Sequence, residues 1–389
     1  MIGIVGAVQF VNILDFMIVM PLGPDFATAL NIPQSQLGAV GGSYTAAAAV
    51  SGVAAAFFLD RFDRRNALCL AMLGLVLGTA AGALASDLWT LLLARVLAGT
   101  FGGPATSISL AIIADLIPPE RRGRAMGAVM GSFSAASVLG VPAGLEVARL
   151  GGWRAPFLAV AGLGLVVVTL AYWQLPPLRL HLTQTRAPPS LLRVLRRPLH
   201  VMSYGMLALM TGSGFLLIPN LSPFFQHNLG YPRERLGLLY LVGGVLSFFW
   251  MRLAGRLVDR LGATRVGVLG GVAFCIVIVV GFGFEHTPAP VLLIFVAFML
   301  SQNTRMVAQT ALITRVPPIH ERAAFSSLQS AVQHASAALG ALASSRMLVD
   351  GPNQTLVGMP RLVVTGVVLT LLAFPLLWRV ERGVRSSAG

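Results

Sequence analysis

The sequence predicts an all-α membrane protein, with twelve transmembrane helices in two pseudo-symmetric six-helix bundles. Apolar residues make up 56% of the chain and charged residues 11%, at a mean hydropathy of +0.79. Soluble domains carry about 25% charged residues. The apolar residues fall in runs near the ~20 residues that cross a ~30 Å hydrocarbon core. The last observation is a repeat. Asp60-Arg61 and Asp259-Arg260 stand 199 residues apart in matching apolar frames, and the same offset carries Pro118-Pro119 onto Pro317-Pro318. Two such marks at one offset imply two halves built to one plan.

The net charge of +14 comes from 28 arginines and no lysine, set against 14 acids. A nucleic-acid-binding domain would carry such charge as a basic face on a polar fold. Here the arginines sit in short gaps between apolar runs, so nucleic acid is not an expected partner. Nineteen fall in alternate gaps and the C-terminal tail, six in the intervening gaps, and Arg95, Arg252 and Arg305 within runs. Arginine-rich loops stay cytoplasmic. A multi-pass protein of the cell membrane (the inner membrane in a bacterium) is therefore expected, with both termini in the cytoplasm. Cys69 and Cys275 lie inside apolar runs, and the six His have no ligand spacing, so neither a disulfide framework nor a metal site is expected. A chain without lysine has no phosphate-binding Gly-x-x-x-x-Gly-Lys motif, and no cofactor is expected. The first apolar run leads directly into the others, unlike a cleavable signal peptide. Met1 stands almost at its start, and a short polar leader ahead of it is an expectation.

In order, the expected spans are roughly 2–24, 36–59, 66–86, 89–114, 123–147 and 153–175, then 198–220, 235–258, 265–284, 289–314, 322–347 and 360–380. Residues 1–175 would form the N-terminal bundle and 198–389 the C-terminal bundle with its short tail. Residues 176–197, with Pro176-Pro177, Pro188-Pro189 and five arginines, would be the cytoplasmic linker.

The first span carries Asn12-Ile13-Leu14-Asp15-Phe16-Met17. A charge at bilayer depth costs at least ~2.5–3.5 kcal/mol. Asp15 must therefore face a cavity, pair with a cation or bind a proton, since desolvation favours the neutral form of a carboxyl. Arg95 in the fourth span is its expected partner. The two lie about nine and about six residues from the outer ends of their spans, which at ~1.5 Å per residue places both ~10–14 Å deep. Direct binding of an anionic substrate is the alternative for Arg95. Tyr44, Phe16 and Phe215 are aromatic candidates for a pocket wall.

The fifth span has Gly127-x-x-x-Gly131 and Gly140-x-x-x-Gly144 around Pro142, a pattern for close helix approach and a kink. Glu146 and Arg149 read as an i,i+3 pair, and Asp63 as a loop charge. In the tenth span, Ser301-Gln302-Asn303-Thr304 precede Arg305, and Gln309 lies one turn further on. This reads as a pocket-facing surface, with pairing of Arg305 to a carbonyl or a helix-packing polar cluster as the alternative. Gln329 and Gln333 share a face of the eleventh span beside His334. His334 reads either as a titrating group or as a hydrogen-bonded bystander.

Several of these segments carry a resemblance. Gly255-x-Leu257-x-Asp259-Arg260-x-Gly262 is similar to the signature loop between helices 8 and 9 of the major facilitator superfamily. The first-half copy keeps Asp60, Arg61, Arg64 and Arg65, with Ala56 and Asp63 where glycines are usual. Leu91-x-x-x-Arg95-x-x-Ala98-Gly99 resembles the basic helix-4 motif, with Ala98 in place of the usual polar residue. Gly140-Val141-Pro142-Ala143-Gly144, followed by Gly152-Trp153-Arg154, resembles in shortened form the antiporter motif of drug:proton antiporters and sugar-efflux permeases.

The resemblance covers essentially the whole chain. It implies a monomeric, proton-coupled secondary transporter in which two bundles rock around a midplane site, exporting a drug, sugar or related metabolite. The partners would be protons, a small-molecule substrate and the bilayer. Asp15 and Arg95 are then the candidates for proton coupling. The candidate pocket takes Asn12, Phe16 and Tyr44 from the first half. From the second it takes Gln302, Asn303, Arg305 and Gln309, with Gln329 and Gln333. A cytoplasmic latch would use Asp60, Arg61, Arg64 and Asp115 in one half and Gly255, Asp259 and Arg260 in the other. One partly exposed pair is worth only ~0–1 kcal/mol, so a latch requires a network. The motif of Gly140, Pro142 and Gly144 would seal an interface between halves or simply pack. Proton-linked uptake, a lipid or lysolipid flippase and a non-transporting receptor are the rival readings. An enzyme has the least support, since no nucleophile–base pair stands out.

Overall fold

The computed structural model describes residues 2–58, 62–116, 131–178, 194–284, 287, 289–318 and 321–386. The chain divides into two compact units, Met1–Pro188 and Pro189–Gly389. The first contains α1 (Ile2–Val19), α2 (Leu37–Phe58), α3 (Arg64–Ala83), α4 (Leu88–Leu116), α5 (Gly131–Gly151) and α6 (Arg154–Gln174). The second contains α7 (Pro198–Phe215), α8 (Leu236–Leu261), α9 (Ala263–Phe282), α10 (Val291–Ile313), α11 (Arg322–Met347) and α12 (Met359–Ser386). Among the described residues, eleven helices are long and apolar enough to cross a membrane. The twelfth, α11, has 26 residues, but Ser326, Ser327, Gln329, Ser330 and Gln333 dilute its apolar character.

Both units follow one packing plan. In the first, α4 packs on α2 and α3, α6 packs on α3 and α1, and α1 packs on α5. In the second, α10 packs on α8 and α9, α12 packs on α9 and α7, and α7 packs on α11. Adding six to each helix number converts one set into the other, which is the structural expression of the 199-residue offset.

The equivalent turns are built differently. Asp63 is more than a loop charge: it caps α3, its Oδ1 accepting the N–H groups of Arg65 at 2.9 Å and Leu178 at 3.2 Å. Such a cap satisfies donors that the first helical turn leaves open. The equivalent position before α9 is Gly262, at φ +91°, a backbone region that glycine enters without steric cost.

Three features depart from simple spans. α1 stops at Val19, earlier than the expected 24, with Pro21 in the turn that follows. A short helix, Gly23–Leu30, then ends on Asn31 at φ 52°. α5 contains a π-helical turn, Ala136–Gly140, just ahead of Pro142. Proline has no N–H for the preceding turn, and a wider turn accommodates the loss. α7 continues beyond Phe215 through short turns to Asn228. There Asn228 clasps a hairpin of β1 (Val349–Asp350) and β2 (Leu356–Val357): its Nδ2 donates to the Leu356 carbonyl and its Oδ1 accepts the Leu356 N–H, both at 2.9 Å. Gly127 lies outside the described residues. Glu146 and Arg149 form the expected exposed pair.

Candidate functional site

In the first unit, small residues on α4 let three helices converge. Gly99 lies so close to the Tyr44 carbonyl of α2 that a Cβ would overlap it, and a Cβ on Gly102 would overlap the Tyr44 hydroxyl. This approach brings the α4 side chains against α1 and α2. Arg95 and Asp15 are each 1% exposed, and one guanidinium nitrogen, Nη1, lies 3.1 Å from both carboxylate oxygens. The expected pair therefore forms. The Thr79 hydroxyl lies 2.7 Å from Asp15 Oδ1 and 2.8 Å from the Leu75 carbonyl, two acceptors that share its one proton. The Arg95 guanidinium also stacks 4.6 Å from the centroid of the Tyr44 ring, an arrangement that attracts a cation to the ring face.

The network extends along α1. The Tyr44 hydroxyl donates to Asn12 Oδ1 at 2.7 Å, and Asn12 Nδ2 donates to the Gly102 carbonyl at 3.0 Å and Thr106 Oγ1 at 2.7 Å. Gln9 Nε2 donates to the Thr106 carbonyl at 3.4 Å. Phe16 packs on Tyr44 with ring centroids 5.4 Å apart. Asn12, Asp15, Phe16, Tyr44 and Arg95 thus form one cluster. Gln9, Thr79 and Thr106 belong to it, and sequence reasoning missed them. Thr106 had one signal available, since the repeat offset pairs it with Arg305. A carboxylate in this setting can be neutralised by the guanidinium or by a proton, and uncompensated burial is costly.

The α5 motif supports the same helix. A Cβ on Gly140 would lie 2.7 Å from Leu14 Cδ1, and one on Gly144 would overlap Ile18 Cδ1. Leu14 and Ile18 flank Asp15 on α1, so the motif sets how closely α5 approaches the helix that carries the carboxylate.

The second unit holds the other intramembrane cluster. Arg305 is 1% exposed. Its Nη2 donates to the Met210 carbonyl at 3.0 Å and to Ser213 Oγ, and its Nη1 donates to Gln302 Oε1 at 2.9 Å. The guanidinium lies 4.1 Å from the Phe274 ring centroid. Arg305 therefore joins α10 to α7 and α9 through neutral acceptors, which favours the packing alternative for this arrangement. Asn303 and Gln309 are buried on the same helix. On α11, Gln329 is half-buried and Gln333 exposed.

The latch candidates are more scattered. Asp60, Arg61 and the side chain of Asp115 lie outside the described residues. Arg64 is buried at the start of α3, with its N–H donating to the Leu178 carbonyl at 3.2 Å. Gly255 lies within α8, and Asp259 and Arg260 are exposed near its end. An apolar cavity of about 890 Å³ lies among α2, α3 and α4, lined by Ala47, Ser51, Leu70, Phe101 and Pro104 among others. Neither Asp15 nor Arg95 lines it.

Two matched bundles with polar clusters buried in apolar helices define a polytopic membrane transporter. The profile of the Major Facilitator Superfamily matches residues 5–341, and the chain belongs to that superfamily. It is 26% identical over 361 residues to a chloramphenicol resistance protein of Streptomyces lividans, covering 91% of this chain and 90% of that one. It is 28% identical over 315 residues to a chloramphenicol efflux pump of Mycobacterium tuberculosis (strain CDC 1551 / Oshkosh), covering 79% and 74%. Among solved structures, a bacterial homologue of the human lysosomal transporter Spinster superposes with a TM-score of 0.77 at 18% identity, covering 98% of this chain and 96% of that one. That likeness concerns the fold. The family consists of transporters and not enzymes.

Proposed function

We propose that the protein exports a small organic solute in exchange for protons, by alternating access between its two units, with both termini in the cytoplasm. One observation carries the reading. A carboxylate and a guanidinium, each 1% exposed, share one bifurcated contact in the interior of the first unit. Breaking that contact leaves a buried carboxylate that needs another positive partner, and a proton is the smallest available. Uptake of a proton by Asp15 would release Arg95, and with it Tyr44 and Asn12, which share its network. Cargo binding at Asn12, Phe16 and Tyr44 would then be linked to protonation through hydrogen bonds already in place. The Gly140–Pro142–Gly144 motif would hold α1 against α5 during the exchange. The names of the relatives make chloramphenicol the first solute to try. The cytoplasmic latch remains part of the proposal, with Arg64, Asp259 and Arg260 as its testable members.

The test is proton flux in proteoliposomes driven by a chloramphenicol gradient, in the native protein and in Asp15→Asn. Coupled flux that disappears in a folded Asp15→Asn variant is the expected result. Undiminished coupled flux in that variant would remove Asp15 from the proton path. Imposing the proton gradient in each direction separates export from proton-linked uptake.

A second reading has one observation in its favour. The 890 Å³ cavity is apolar, and Val50 and Leu70 on its rim are exposed, a shape suited to an amphipathic lipid. Movement of a fluorescent lysolipid between leaflets, abolished by Ala47→Trp, would favour a flippase over a drug exporter.

A further inference from the structure

We propose that the second unit binds an anionic phospholipid in a basic cavity where the first turn of α9 meets the last turns of α12. The cavity measures about 370 Å³, and its walls include Arg265, Arg382, Arg385, Glu381 and Trp378. Three arginines against one glutamate leave an excess of two positive charges. Glu381 is already engaged: Arg385 Nη2 donates to its Oε1 at 2.8 Å, and the Thr264 N–H donates to its Oε2 at 3.3 Å. Arg265 and Arg382 have no ion-pair partner among the described residues. Arg382 lies 5.3 Å from the centroid of the Trp378 ring, which orients its guanidinium without neutralising it.

Position selects the partner. α12 runs from Met359 to Ser386, and ~1.5 Å per residue places Trp378 ~28 Å from its start. That is about the ~30 Å thickness of the hydrocarbon core. Tryptophan favours this interfacial depth, and the arginines beyond it mark the cytoplasmic side. Arg265 lies at the same end, in the first turn of α9.

Above each arginine runs an exposed apolar stripe. On α9, Leu269, Val272 and Ile276 follow Arg265 at helical spacing, and on α12, Leu371, Val368 and Val364 lead away from Trp378. The cavity lies where the ends of the two helices meet, and one lipid-facing stripe leads away from it along each helix. A phosphodiester fits the two unpaired guanidinium groups, which donate to its oxygens in paired geometry. Acyl chains would lie along these exposed apolar stripes. A zwitterionic ethanolamine headgroup gains less, because the one carboxylate that would receive its ammonium is occupied by Arg385 and Thr264. A soluble phosphate would leave the stripes unused.

The experiment uses the full-length protein in detergent, offered phosphatidylglycerol or phosphatidylcholine with identical chains, with adducts counted by native mass spectrometry. Preferential retention of phosphatidylglycerol is expected. Arg265→Gln with Arg382→Gln should weaken it roughly 30-fold, from about five-fold for each arginine near an anionic lipid. Arg233→Gln with Arg235→Gln, at the opposite end of α8, should leave it unchanged. Brominated phosphatidylglycerol should also quench tryptophan fluorescence more than brominated phosphatidylcholine, with the excess lost in Trp378→Phe. Equal retention of the two lipids, or full retention by the Arg265/Arg382 double variant, would overturn the proposal. So would displacement of the lipid by millimolar glycerol phosphate, which would make the cavity a soluble-phosphate site.

Discussion

Among the described residues, each unit has one arginine only 1% exposed, Arg95 or Arg305, and the two are neutralised by different means. Arg95 meets a carboxylate 3.1 Å away, inside a network of hydroxyl and amide groups. Arg305 meets a backbone carbonyl, a serine, a glutamine and an aromatic face, with no carboxylate among the described residues. The repeat offset places Arg305 opposite Thr106, not Arg95, so the two clusters arose at different positions of the shared plan. Thr106 and Arg305 nevertheless join equivalent helix pairs, α4 to α1 and α10 to α7. The helix pairs are equivalent, and the chemistry crossing them differs. One unit holds a buried ion pair, and the other a buried cation held by dipoles.

The largest expected effect tests that contrast. Arg95→Met should destabilise the protein by about 3–5 kcal/mol, because it strands a buried carboxylate. Combining it with Asp15→Asn should recover much of the loss. Arg305→Met should stay within about 1 kcal/mol of the native protein, because an apolar replacement of a buried ionic group is often neutral and Ser213 keeps its bond to the Met210 carbonyl. Thermal and urea unfolding in one detergent would measure both. Equal costs at the two positions would break the comparison and require an unrecognised counter-charge for Arg305.

A middle-sized effect distinguishes how the equivalent pairs α1–α5 and α7–α11 touch. A Cβ on Gly144 would meet the end of a flexible side chain, Ile18 Cδ1, whereas one on Gly340 would lie 2.6 Å from the Gly212 carbonyl oxygen. A side chain can rotate aside and a helical backbone cannot. Gly340→Ala should therefore cost about 1–3 kcal/mol, the usual range for overpacking, and Gly144→Ala clearly less. A larger loss at Gly144 would mean that α1 has no freedom beside Asp15.

The sequence made the two-unit plan legible through runs of apolar length and one constant offset, which depend on the order of residue types along the chain and not on packing. Asp15 and Arg95 were legible because charges stand out in apolar helices, and their depths matched. Thr79 was not, because a threonine in a membrane helix ordinarily bonds the carbonyl one turn back, and Thr79 does lie within reach of the Leu75 carbonyl. Only the packing of α3 on α1 reveals its second acceptor. The early end of α1 and the turns beyond α7 were hidden for another reason. Membrane helices tolerate proline, so Pro21 and Pro223 do not by themselves say whether a span bends or stops. For Arg305, the run of polar neighbours suggested an aqueous surface, and the structure uses part of that run to bury it.

The smallest expected effect concerns how α4 and its counterpart α10 begin. Asp87 precedes α4, and its Oδ1 accepts the Thr90 N–H at 2.9 Å while its own N–H donates to Thr90 Oγ1 at 3.1 Å. Pro290 precedes α10 with no side-chain cap. The hydrogen bond from the Thr90 backbone holds the Asp87 carboxyl below its ordinary range. A lowered value in the folded protein means that the stabilisation is present above the unfolded carboxylate pKa of about 3.9 and is lost as the pH falls through the folded value. Asp87→Ala should therefore lower the thermal midpoint slightly near neutral pH, and the difference from the native protein should close in acid. Pro290→Ala removes no titrating cap, so any shift it causes should not depend on pH over that range. A deficit for Asp87→Ala that persisted unchanged in acid would show that Asp87 acts through its shape and not its charge.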